Sequence, residues 1–133
     1  RLMLMGASLV CQTVNLIIES EAAGKPVPTT PQPELETLRP APKIFKETCE
    51  IDFSKTSEEV HNFVRGLSPY PAAWCNLHVG ERLFENTKVY AVEPTSAPGP
   101  LAVKTADGYV NILELQIPGK KRLSARDFLN GLK

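Results

Sequence analysis

The sequence predicts a mainly β domain: a small antiparallel barrel with short flanking helices, preceded by an N-terminal helix and a proline-rich linker. Three observations predict it. From Trp74 to Ile117 the chain runs as short apolar segments divided by turn residues. One well-capped helix precedes these segments and one short helix follows them, so strands do not alternate with helices as a parallel α/β sheet requires. Six prolines between Lys25 and Pro42 leave that stretch neither helix nor strand. Short strands gathered round one core, with a helix between turns, describe a barrel of the oligonucleotide-binding (OB-like) type.

The elements follow in order. From Leu2 to Ala23, Leu2, Met5, Leu9 and Leu16 recur at helical spacing, with Val10, Val14, Ile17 and Ile18 widening the apolar stripe. Gly24 is placed to cap this helix and Pro26 to stop it. The opening run suggests a signal peptide, but Gln12, Thr13 and Asn15 break it, and it is too interrupted for a membrane span. The chain opens on Arg1 rather than methionine, so the expectation is that sequence is missing upstream and that the stripe's natural partner lies there. Without that partner, self-association through the helix is expected. Residues 25–42 read as a stiff extended linker.

An ordered unit then begins at Lys43. In "KTSEEVHNFVRGLSP", Thr56 and Glu59 fit a capping box, and Val60, Phe63, Val64 and Leu67 form one face before Pro69. "CNLHV" alternates, with Cys75, Leu77 and Val79 on one side and Asn76 and His78 on the other. "TKVYAVEP" is a β-branched and aromatic run. "LAVKTADGYVNILELQI" predicts a hairpin at Asp107-Gly108, where glycine would supply positive φ. Ser124 caps a last helix through Leu129, ended by Gly131.

With 133 residues, the chain suits one domain, or one small domain and part of another. Fifteen basic and fifteen acidic residues cancel, so no global field draws nucleic acid. Their distribution is uneven: Ile117 to Lys133 carries five basic residues against Asp127. Cys11, Cys49 and Cys75 are odd in number and widely spaced, which fits reduced thiols in a cytosol-like compartment rather than a disulfide framework or zinc site.

No catalytic constellation emerges. His61 and His78 lack spaced partners for a metal or triad, and Glu58 and Glu59 serve a helix start. Cations offer more: Lys43 and Lys46 in "APKIFKE", Arg65 at a helix end, Lys104 on a strand, and Lys120, Lys121 and Arg122 crowded into one turn. A lone charge run is also what a solvated turn looks like. Tyr70, Trp74, Tyr90 and Tyr109 are scattered and expected to be mostly packed, so binding would read backbone shape.

"PKIFKETCEIDFSKTSEEVHNFVRGLSPYPAAW" resembles the stretch that opens the C-terminal domain of methionyl-tRNA formyltransferases, and "VYAVEP" and "VKTADGYVNILELQIPGKKRLSARDFLNG" continue the likeness. Phe53 stands where Trp is frequent, and Tyr70 and Trp74 replace Trp and Tyr, which keeps large rings in place. The resemblance implies three parts: residues 1–24 as the terminal helix of a truncated formyl-transferase domain, 25–42 as linker, and 43–133 as the OB-like C-terminal domain. It implies a cytoplasmic enzyme of translation initiation that moves a formyl group from 10-formyltetrahydrofolate to the methionine of initiator tRNA. The family's catalytic Asn, His and Asp belong to the upstream domain and match no position here, so this chain alone is expected to be inactive and to hold no cofactor or metal. The tRNA-holding role transfers to Lys43, Lys46, Arg65, Lys120, Lys121 and Arg122. The implied partners are initiator methionyl-tRNA and the missing N-terminal catalytic domain, with no membrane. The alternatives are a related folate-dependent formyltransferase or formyltetrahydrofolate enzyme, or a purely structural accessory barrel. Such folate relatives continue into another large domain, whereas this chain stops after "DFLNGLK".

Overall fold

The structure, a computed structural model, describes residues Arg1–Lys133 and divides into two units, Arg1–Ala41 and Pro42–Lys133. The first holds α1 (Leu2–Ala22). Its C-terminus closes with a paired motif: Gly24 N donates to Glu21 O at 3.1 Å and Lys25 N to Ser20 O at 3.0 Å. Ala23 is the C-cap itself, and Gly24 follows at φ +65°, the left-handed position that favours glycine. Leu2, Met3, Leu9 and Val10 stay exposed, so the helix's apolar stripe is solvated here. Despite its polar interruptions, α1 is long and apolar enough, by length and composition, to cross a membrane. Residues after Lys25 form neither helix nor strand until a single 3-10 turn at Glu47–Cys49.

The second unit is a curled antiparallel half-barrel with flanking helices, as the alternation and turn signals predict. Helix α2 (Ser57–Leu67) precedes five strands, β1 (Ala73–Val79), β2 (Arg82–Thr95), β3 (Ala102–Lys104), β4 (Tyr109–Gln116) and β5 (Leu123–Ser124), and α3 (Ala125–Asn130) follows. The strand order is β1-β2-β4-β3, with β5 pairing β4 on the same sheet. The capping box on α2 forms on both sides: Thr56 Oγ1 accepts from Glu59 N at 3.2 Å, and Glu59 Oε2 accepts from Thr56 N at 3.0 Å. Ser124 caps α3 by accepting from Asp127 N at 3.1 Å.

Strand β2 begins earlier than its β-branched run suggests, because Val79 and Arg82 pair across a two-residue turn with Gly80 at φ +60°. Cys75 pairs with Thr87 but Leu77 with Phe84, so Glu85 and Asn86 together face Asn76 in a bulge. Asn86 sits at φ +52°, and its N–H donates to Asn76 Oδ1 at 3.0 Å. The hairpin at Asp107-Gly108 forms, but not through positive φ at Gly108. Glycine is needed there for space: a Cβ would lie 3.1 Å from the Thr95 carbonyl oxygen and 3.6 Å from Ser57 Oγ.

The core lies between α2 and the inner face of the sheet, with Val60 and Val64 against Ala73, Cys75, Leu77, Val89, Ile112 and Leu115. Phe128 of α3 closes one end, meeting Phe84 edge-to-face at 5.2 Å. Asp107, in the turn between β3 and β4, ties the sheet to the start of α2. Its Oδ1 accepts from Ser57 N at 2.7 Å and from Ser57 Oγ at 3.0 Å. These bonds, the backbone N–H first, hold the Asp107 carboxyl below the usual range.

Candidate nucleic-acid interface

The sheet's outer face is set by the same alternation that fills the core. Between buried Ala73 and Cys75, Trp74 must point outward, and Lys88 does so between Thr87 and Val89. Register then aligns Trp74 with Lys88 and Lys88 with Gln116, giving one row across β1, β2 and β4. Gln116 is fixed at both ends: its Oε1 accepts from Tyr90 Oη at 2.6 Å and its Nε2 donates to Lys120 O at 2.8 Å.

The basic turn is built by "IPGK". Lys120 N donates to Ile117 O at 3.0 Å, with Pro118 second and Gly119 third at φ +75°, the residues a type II turn selects. Because β5 pairs back onto β4 through Leu123–Leu115, the turn is a hairpin tip, and Lys120 and Lys121 are exposed on it. Arg122 differs. Its Nε donates to Glu114 Oε2 at 2.8 Å and its guanidinium ion-pairs with the same carboxylate, while lying 4.3 Å from the Tyr90 ring centroid. One of the three cations in the run thus already has an anionic partner.

Of the other cations singled out from sequence, Lys104 is exposed on β3, at the end of the strand order opposite β1, and the rest fall nearer this face. Lys46 Nζ lies 5.2 Å from the Trp74 ring centroid, and Trp74 Nε1 donates to Lys46 O at 2.8 Å, fixing the indole against the leading segment. Lys43 Nζ lies 5.5 Å from the Phe45 ring. Arg65, in the last turn of α2, lines a small cavity of about 250 Å³ with His61 and Tyr90. Lys46 and the Pro118-Gly119 turn line one larger groove of about 750 Å³. The fold therefore gathers Lys46 and the Lys120 turn, and brings both Arg65 and Arg122 near Tyr90; Lys43 stands by its own phenylalanine.

Two features of the face escaped the sequence reading. Lys88 lies in an apolar run and carries no motif; only strand register reveals its place between Trp74 and Gln116. The aromatics are less packed than expected: Tyr70 is 87% exposed and Trp74 and Tyr90 are half-buried, because the first lies in the loop before β1 and the others on the outer face.

Comparison with known proteins gives consistent matches. The family described as "Formyl transferase, C-terminal domain" matches residues 43–133. The methionyl-tRNA formyltransferase of Phocaeicola vulgatus is 42% identical over 147 residues, covering 100% of this chain and 45% of that protein. Those of Bacteroides fragilis and Bacteroides thetaiotaomicron are 45% and 40% identical, each covering at least 98% of this chain. The chain spans under half the length of these relatives.

Proposed function

The chain belongs to the family of formyl transferase C-terminal domains, and from that premise we propose that it holds initiator tRNA for a methionyl-tRNA formyltransferase. In this reading the whole enzyme moves a formyl group from 10-formyltetrahydrofolate to the methionine amino group during translation initiation, in the cytoplasm. The transfer chemistry belongs to a catalytic domain beyond residues 1–133, and this chain's own contribution is electrostatic and geometric. Residues 1–24 are the last helix of that catalytic domain and 25–42 the linker, a reading supported by relatives whose similarity runs through 100% of the chain, α1 included. The same match favours α1 as a packed helix of a soluble domain over a membrane span.

The observation that carries the reading is the hairpin tip, where Lys120 and Lys121 stand exposed beside a groove with no carboxylate in its lining. Phosphates need mobile cations free of competing anions, and these two fit. Arg122 contributes less, being paired with Glu114. Lys46 and Arg65 extend the cationic track to the leading segment and to α2, and Lys43 lies further along the same leading segment.

The test is the salt dependence of tRNA affinity. Substituting Lys120→Ala and Lys121→Ala together should reduce the slope of log K against log salt by up to about one unit for each phosphate that is no longer neutralised. Adding Arg122→Ala should change the slope less than either lysine does. A double variant with the slope of the parent chain would remove the hairpin tip from the interface.

A further inference from the structure

The groove on the outer face has chemistry that phosphate holding does not use. Its volume, about 750 Å³, falls within the ~300–1,000 Å³ of small-ligand clefts. Three aromatic side chains, Phe45, Tyr70 and Trp74, line it together with two ammonium groups, Lys46 and Lys88, and no Asp or Glu does so. On a chain with as many acidic as basic residues, that local bias selects an anion. Lysine alone would serve a duplex backbone. An 87%-exposed tyrosine adds nothing to the core, yet offers a flat face to another flat group.

The indole's orientation is set before any ligand arrives, by the bond from Trp74 Nε1 to Lys46 O. Asn86 also lines the groove, and its side-chain amide makes no hydrogen bond within the chain. That leaves a donor and an acceptor free for the edge of a base. The groove is also continuous with the hairpin tip, since Pro118 and Gly119 line it and Gln116 is tied to Lys120.

We propose that this groove receives an unpaired nucleotide of the bound RNA, its base stacked on Tyr70 and Trp74 and its phosphate held by Lys46 and Lys88. The proposal rests on the RNA-holding role above and adds a base-stacking site to it. Stacking on aromatics tolerates any base, so the groove detects single-strandedness more than sequence.

Trp74 is the chain's only tryptophan, so its emission reports on the groove directly. The 133-residue chain is titrated at low salt with a single-stranded tetraribonucleotide, with a self-paired RNA duplex and with initiator tRNA. The tetranucleotide should quench Trp74 and the duplex should not. Tyr70→Ala, at a position too exposed to support the core, should weaken the tetranucleotide by about tenfold while leaving the circular dichroism spectrum unchanged. Binding of tRNA with its salt dependence, but no quenching by the tetranucleotide or no effect of Tyr70→Ala, overturns the base site and leaves the RNA-holding reading standing. Quenching by the tetranucleotide without any binding of tRNA supports the base site and overturns the reading it rests on. Emission that ignores every RNA but shifts blue with an apolar dye shows a groove that takes apolar groups rather than nucleotides and overturns the proposal.

Discussion

Cys75 and Cys11 carry the same thiol into opposite environments. Burial, with the Glu50 charge adding to it, pushes the Cys75 thiol up to about 12, and Cys49 is also buried, while Cys11 is exposed on α1. Since the thiolate is the reactive form, a maleimide reagent at neutral pH should label Cys11 at once. Cys49 and Cys75 should follow only in denaturant; mass spectrometry of labelled peptides reads the order. Rapid labelling of all three in native buffer would contradict the packing of β1. The cysteines' burial was legible for Cys75, which alternates with Leu77, but not for Cys49, whose 3-10 turn has no period. Likewise the run Lys120, Lys121, Arg122 reads as three equal charges, whereas the strand pairing that brings Glu114 opposite β5 separates the third from the first two.

Helix α2 shows how far local signals reach. Thr56, Glu59 and the Val60–Val64 stripe fix its start and its buried face from sequence alone, because capping and 3.6-residue periodicity act within one turn. The bond from Ser57 to Asp107 was not legible, since nothing in either segment announces the other. Hydrogen bonds from Thr56 hold Glu59 below its ordinary range, as those from Ser54 do for Asp52 and those from Ser57 for Asp107. Each charged form is therefore favoured by folding. Their contribution is complete above the unfolded carboxylate range, near pH ~4, and is lost as pH falls through that range toward the depressed values. Thermal melts should show a constant Tm from pH ~7 to ~5 and a fall below ~4. Asp107→Asn, which keeps the shape and drops the charge, should lower Tm at neutral pH and shrink the acid-induced fall. An acid limb identical to that of the parent would show that Asp107 is no such anchor.

At the scale of the whole molecule, the sheet's outer face is an assembled property. Trp74, Lys88 and Gln116 come from three strands, and only the register of β1, β2 and β4 puts them in a row; Lys46 joins them through the Trp74 indole bond. Sequence patterning gives four of the five strands and their inner faces; it misses the short β5 and does not give which outer residues become neighbours. The core cluster uses only residues from Ile51 onward, and prolines punctuate 25–42. Glutamyl endopeptidase should therefore cut first after Glu34 or Glu36, which are exposed and outside any helix or strand. The product beginning beyond them should melt as a folded unit. Trypsin should spare the same stretch, because Lys25 and Arg39 each precede a proline. Early cleavage within 57–130 instead would show that the second unit is no more protease-resistant than the linker.

The bond between Ser57 and Asp107 joins residues 50 apart in the chain. It has a kinetic meaning as well as an equilibrium one. A loop of that length must close, at an entropic cost that returns nothing until the two ends meet, before the first turn of α2 gains this partner. The helix can nucleate on its own capping box, but its start is completed only when the β3–β4 hairpin is in place. High contact order thus enters at a helix, the element usually credited with folding early and locally.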